Sequence, residues 1–319
     1  MKNKQIIVTL SIATMGFLFA TTSCQKKNEF KNEDGQSSED NRNINGQTDE
    51  GVSDANTAIG NYSSMSGRNA QLPAVLATIC GATVDTTGMS TGTIKINYDG
   101  TVCNNRKREG SIRLTIQNYT GGVRWKDAGC VLQVDYLSYK VTRASDDKSI
   151  QFDGTHLVTN VSGGTWWDIF IGTQANLVHA VNASGALTCT FEDGKSVTCN
   201  VNRKFTYVWA NNILTCTGEG TGSSNSLSSL ENYGTTRDGD AFTSQVTTPV
   251  MWNTTCGAWA PLQGVVSVVV EGKEFSLVCT FGVDVSGNPV SMVANDCPYG
   301  WKLYWKYKKK DKTKIFGYH

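Results

Sequence analysis

From Thr93 onward, apolar and polar side chains alternate with a period of two. Ile94, Ile96 and Tyr98 alternate with Lys95 and Asn97. Ile112, Leu114 and Ile116 alternate with Arg113 and Thr115, and Leu132, Val134 and Tyr136 with Gln133 and Asp135. The pattern returns in Leu187, Cys189 and Phe191, in Val197, Cys199 and Val201, in Phe205, Tyr207 and Trp209, and in Phe275, Leu277, Cys279 and Phe281. Successive side chains of a strand point to opposite faces, so each row predicts a strand with one buried face. Turn signals lie between the rows: Asp99-Gly100, Asp193-Gly194, Asn211-Asn212, Glu271-Gly272 and Ser286-Gly287-Asn288. Helical spacing occurs weakly in Leu72 to Ile79, which predicts a short helix before the first strand. The predicted fold is all-β, a large antiparallel sheet or a β-sandwich with short turns.

The start of the chain follows a different pattern. Lys2 and Lys4 precede an uncharged, mostly apolar run from Ile6 to Ala20. Such a run with small residues behind it is what a secretory signal needs, and it is short of the ~20 apolar residues of a membrane span. Thr21-Thr22-Ser23-Cys24 resembles the lipobox of bacterial lipoproteins. That resemblance implies cleavage before Cys24 and acylation of its thiol, and two or more acyl chains anchor a protein stably. Residues 1–23 are therefore expected to be a signal peptide, with Cys24 the lipidated first residue. Residues 24–55 are rich in Asn, Gln, Ser, Asp, Glu and Gly, with Phe30, Ile44 and Val52 as the sizeable apolar side chains. So little apolar surface predicts a disordered tether, with a reach of roughly 30 Å. Residues 56–319 are expected to form a single all-β domain, or two similar halves divided near residues 218–239.

Several stretches of the body resemble a group of uncharacterised Bacteroidetes lipoproteins. They are Ile79-Cys80-Gly81-Ala82-Thr83-Val84, Gly92 to Cys103 with its Asp99-Gly100-Thr101-Val102-Cys103 ending, and Asn105-Arg106-Lys107-Arg108-Glu109-Gly110. Asp153-Gly154-Thr155, Asp193-Gly194-Lys195-Ser196 and Arg237 to Phe242 continue the likeness. The resemblance implies a class and an address, the cell envelope and its outer membrane, and no mechanism. Gln25-Lys26-Lys27-Asn28-Glu29 departs from the acidic cluster of surface-exported members, so the periplasmic and outer faces both stay open.

The 10 cysteines leave nine once Cys24 is acylated, an odd number in a compartment where disulfides form. Cys80 and Cys103 flank the first strand and are the leading bridge. Cys256 pairs with either Cys279 or Cys297. Cys189 and Cys199 fall on core faces and read as small buried side chains.

A net charge of +1 gives no pull on nucleic acid. The three histidines are His156, His179 and His319; His156 reads as an exposed strand position, and no nucleophile elbow, zinc motif or phosphate loop accompanies them. No cofactor or metal is expected. Five of the eight tryptophans, Trp125, Trp166, Trp167, Trp252 and Trp259, lie near glycine-rich turns, where outward rings can stack on sugars. Trp166 and Trp167, as strand neighbours, should face opposite ways, and cross-strand packing is the simpler reading. Asp284 to Asn288 reads as a turn. Lys302 to Tyr307 reads as the last strand, with the lysines after it as a solvated tail. These features point to a non-enzymatic, lipid-anchored envelope protein, a binding or structural module whose partners are the membrane, through Cys24, and a glycan or another envelope protein. A glycan-binding lipoprotein and a degradative enzyme using two carboxylates about 5–10 Å apart are the alternatives.

Overall fold

The computed structural model describes residues 32–68, 78–224, 227–257, 260–273, 275–290, 296–307 and 310–318. Cys24, the segment before it and most of the expected helix at Leu72 to Ile79 lie outside the described residues. The alternating rows form one antiparallel sheet, which has 16 strands among the described residues. They are β1 (Ala82–Asp85), β2 (Thr93–Cys103), β3 (Arg106–Ile116), β4 (Cys130–Arg143), β5 (Ser149–Asn160), β6 (Leu177–Ala183), β7 (Leu187–Phe191) and β8 (Ser196–Ala210). After them come β9 (Ile213–Gly220), β10 (Gly222–Ser224), β11 (Leu227–Thr235), β12 (Ala241–Asn253), β13 (Gln263–Val270), β14 (Phe275–Val283), β15 (Gly300–Tyr307) and β16 (Lys310–Gly317). Neighbours in the chain are mostly neighbours in the sheet. Long β8 breaks that rule, because it holds β6 and β7 end to end on one side and β11 and β9 on the other. The sheet is continuous across residues 218–239, where β11 joins β8 to β12.

The predicted rows point inward. Ile94, Ile96, Ile112, Leu114, Leu132, Val134, Leu187, Cys189, Cys199, Val201 and Leu277 are all almost fully buried. The opposite face carries Lys95, Asn97, Arg113, Thr115, Gln133 and Lys204, none of them buried. A transmembrane barrel has the reverse arrangement, with an apolar outside. No described helix is long and apolar enough to cross a membrane. Bulges bend the strands as they cross the sheet. In β4 the register shifts between Tyr136 and Tyr139, while Leu137 and Ser138 are exposed. The extra residue puts both tyrosines inside, at 2% and 0% exposure, although their odd spacing would separate them on a regular strand. Gly110 (φ 83°) makes this possible, since a Cβ there would lie 2.1 Å from the Ser138 carbonyl oxygen.

The expected tether requires correction. Asn32–Gly60 is a 29-residue helix, α1, about 43 Å long at 1.5 Å per residue. From Gly35 to Gly60 not one side chain is exposed. Asp54 accepts a bond from Tyr98 on β2 at 2.7 Å, and the Arg42 guanidinium lies 5.3 Å from the Trp301 ring on β15. In a flat sheet those strands would lie about ten spacings of ~4.8 Å, nearly 50 Å, apart. The sheet therefore curls round the helix.

Burial of so polar a helix is sustained by ion pairs and hydrogen bonds with the inner face. Arg237 bonds both oxygens of Asp40 at 2.8 Å. Arg203 donates to Asp49 at 2.6 Å, and Arg108 to Asp54 at 2.6 Å with Glu50 3.2 Å away. Asn41 bonds Glu231 and Ser244, and Asn56 accepts from Trp125. Gly51 lets the helix lie against Ile112 and Tyr136, each 3.2 Å from where its Cβ would be. Ile44, Val52, Ala55, Ala58 and Ile59 complete the contact with the apolar core.

Two disulfides are formed among the described residues, Cys80–Cys103 and Cys256–Cys297. Cys279 is a free buried thiol in phase with Leu277 and Phe281, which removes it as the partner of Cys256. Cys189 and Cys199 are buried with their sulfurs 3.9 Å apart and unbridged. The lysine-rich end is also corrected: Lys310–Gly317 is a further strand paired along β15, not a solvated tail.

Removing one guanidinium from the interior strands its carboxylates without a counter-charge. Arg203→Met is expected to lower the unfolding free energy by about 3–5 kcal/mol, read by urea denaturation. A loss under about 1 kcal/mol, the value of a surface pair, would contradict the burial of this cluster.

Candidate functional site

The largest opening between helix and sheet among the described residues lies beside the middle of α1. It has a volume of about 270 Å³, against about 40 Å³ for each of two other cavities along the helix. Alternation on β8 turns Phe205 and Tyr207 toward it. The short helix α2 (Trp166–Phe170) brings Trp166 over Tyr207, with ring centroids 6.0 Å apart. A capping contact starts that helix: Asp168 accepts from the Thr165 amide at 2.6 Å and from its hydroxyl at 2.8 Å. On β12, Trp252 stands 6.4 Å from Phe205, which is itself 6.4 Å from Tyr207. Four rings thus make one continuous wall. A Cβ at Gly218 would come within 2.9 Å of the Trp252 ring, so the glycine gives the indole its place.

The facing side belongs to α1, with Asp49, Val52 and Ser53. Leu214 and Cys216 of β9 line the cavity, as do Asn253, Thr254 and Gly257. Thr254 is exposed and marks the mouth. The mouth is held in shape by bonds from the Leu214 amide to the Thr254 hydroxyl (3.2 Å) and from the Cys256 amide to Asn253 (2.9 Å), beside the Cys256–Cys297 bridge.

One charged cluster borders this space. Arg203, only 3% exposed at its side chain, lies between Asp49 at 2.6 Å and Glu231 at 3.8 Å. Burial pushes the Asp49 carboxyl up to about 6, against the pull of Arg203. Burial disfavours the Arg203 charge, but Asp49 and Glu231 outweigh it and hold the guanidinium above its usual value. Burial, then Asp49, raises the Cys216 thiol far above its ordinary range, so it stays protonated and is a poor nucleophile. Tyr207 is raised for the same first reason.

The tryptophans expected to stack on sugars separate into groups. Trp166 and Trp252 meet at the cavity. Trp125 is 2% exposed, donates to Asn56 at 3.1 Å and packs on His179, so it offers no open ring face. Trp166 and Trp167 are corrected to neighbours on a helix, not on a strand; Arg68 lies 5.7 Å from the Trp167 ring. Trp259 lies outside the described residues. His156 is corrected as well: it is in phase with Phe152 and Val158 on β5 and is wholly buried. Asp49 was absorbed into the expected tether, yet its distance from Val52 and Ser53 is one helical turn, the spacing that places all three on one side of α1.

The chain was compared with protein-family models, curated proteins and solved structures, and it matches none of them.

Both internal histidines are neutral. Burial lowers His156 and His179 to about 3, helped at His156 by Arg203. Neither ring nitrogen of His179 has a hydrogen-bond partner among the described residues. A group whose folded pKa lies below its unfolded value stabilises the fold above the unfolded value, ~6.5 for histidine. That stability is lost as pH falls from there toward 3. His179→Phe is expected to flatten the fall of stability between pH 6 and 4 by one proton, about 1.4 kcal/mol per pH unit. Denaturation series at several pH values read this slope, and an unchanged slope would contradict the neutral buried ring.

Proposed function

We propose that the protein is a lipid-anchored, non-enzymatic binding module of the cell envelope that holds a small ligand in the aromatic-walled cavity beside α1. The observation that carries this reading is the cavity itself, about 270 Å³ with Trp166, Tyr207, Phe205 and Trp252 on one wall and Asp49 and Ser53 opposite. Apolar, concave sites with a few directed polar groups are the usual form of ligand pockets. The anchor rests on the lipobox-like Thr21-Thr22-Ser23-Cys24 and on the likeness to Bacteroidetes lipoproteins.

Absence of catalysis is part of the proposal. Asp49 is the one carboxylate among the described residues lining the cavity, whereas glycoside hydrolysis takes two. His156 and His179 are sealed away from solvent. Glycan binding is a second reading, favoured by the placing of Trp166 and Trp252 on one cavity, where an indole face can stack on a sugar ring.

Two measurements test the proposal. Cells expressing the wild type and fed labelled palmitate should yield a labelled protein, and Cys24→Ala should abolish the label; equal labelling of both would remove the anchor. A thermal-shift screen of the whole chain in non-ionic detergent, with small aromatic compounds and monosaccharides, should find compounds that raise the Tm of wild type. The same compounds should leave Ser53→Phe, which fills the cavity, unmoved. Equal shifts in both proteins would place binding elsewhere.

A further inference from the structure

We propose that the cavity ligand is an organic cation, an ammonium group bearing apolar substituents, received between the aromatic wall and Asp49. This deepens the ligand-binding reading and rests on it. Charge placement comes first. Asp49 and Glu231 both contact one guanidinium, Arg203; a second, Arg42 on α1, lines the neighbouring cavity with them but not this one, so among the described residues Asp49 is the charged side chain that faces the ligand space. The pairing is also uneven. Asp49 Oδ1 takes the Arg203 bond, while Oδ2 accepts none from a described residue, and the Asp49 side lines the cavity. Glu231 is turned away from the cavity and takes bonds from Asn41 and Ser244.

The wall supplies the other half. Cations are attracted to the negative faces of aromatic rings, most strongly where water is excluded. Arg203 already uses the same wall in this way, with its guanidinium carbon 4.6 Å from the Phe205 ring and 5.9 Å from Trp252. Trp166 and Tyr207 continue the wall past Arg203. A primary requirement for an anion, an unengaged cationic side chain facing the cavity, is missing among the described residues. A neutral ligand would leave the second oxygen of Asp49 facing the cavity without a cationic partner.

The charged and titratable groups around Asp49 are Arg203 and Tyr207 on β8, Glu231 on β11, Tyr136 on β4, Cys216 on β9 and, across the neighbouring cavity, Arg42 on α1. Burial holds Tyr136, Tyr207 and Cys216 above their usual ranges, and His156, behind Arg203, is neutral. On α1 itself Glu50 turns to Arg108. As pH falls through about 6, Asp49 takes up a proton and its attraction for a cation is lost.

The test uses the whole chain in non-ionic detergent and two probes of similar shape, choline and its neutral isostere 3,3-dimethyl-1-butanol. Tryptophan fluorescence and calorimetry read both titrations. At pH 7.5 choline is expected to bind roughly tenfold more tightly, the scale of a desolvated cation–π contact. That preference should shrink severalfold at pH 5 and in Asp49→Asn, where only the aromatic wall still favours the cation, and Trp166→Leu should weaken choline while leaving the pH effect in place. If Asp49→Asn does not fold, the wild-type pH series decides. Equal binding of the two probes, or tighter binding of the alcohol, would overturn the organic cation and leave a neutral-ligand cavity standing. Failure of both probes to bind would overturn the inference and count against the cavity as a ligand site.

Discussion

Guanidinium groups pointing inward from two strands and from the β11–β12 turn make this fold possible. Arg108, Arg203 and Arg237 each meet one or more carboxylates of α1 in a place where an unpaired charge would cost several kcal/mol. An isolated helix with the composition of residues 32–60 would have little reason to form in water, since its apolar positions are few and its glycines several. Inside the curled sheet the same polar groups are an asset, because the arginines find carboxylates spaced about two and a half and one and a half helical turns apart, at Asp40, Asp49 and Asp54. The helix in turn fills a space that the strands cannot fill alone. Sheet and helix thus depend on one set of charge pairs, and the apolar contacts of Ile44, Val52 and Ile59 act within it.

The cavity follows from the same arrangement. Where α1 passes β8 it presents Val52 and Ser53, with Gly51 turned toward Ile112 and Tyr136, so the short side chains leave room. The sheet opposite carries large rings whose positions are set by β8, α2 and β12. A polar helix against an aromatic wall gives a space that is apolar on one side and charged at the other. That combination separates it from an ordinary packing gap, which would be apolar throughout.

The strands were legible because their inner face is apolar and their outer face polar, so burial leaves a period of two in the sequence. Cys80 and Cys103 could be paired because they bound one short stretch, which folds as the antiparallel pair β1 and β2 and brings its two ends together. Cys279 could not be set aside until its phase with Leu277 and Phe281 was seen to be a core phase. The helix was hidden for a physical reason: its buried positions are mostly polar, and low hydropathy reads as solvation. A trace remains in Ile44, Thr48, Val52, Ala55 and Ile59, which follow steps of four, four, three and four residues and lie buried on α1. Thr165-Trp166-Trp167-Asp168 likewise carried the capping signature of a helix start that strand alternation obscured. The cavity could not be foreseen, because its walls come from segments separated by more than two hundred residues that only the curl of the sheet unites.

Hydrogen exchange of the intact protein is the most direct measure of whether α1 is an interior element. The amides of Asn41 to Ala58 are predicted to exchange as slowly as those of β4 and β8, opening only when the whole sheet opens. Exchange of that segment within seconds, while the strands stay protected, would mean that the sheet holds together without the helix and that the buried charge pairs are not its foundation.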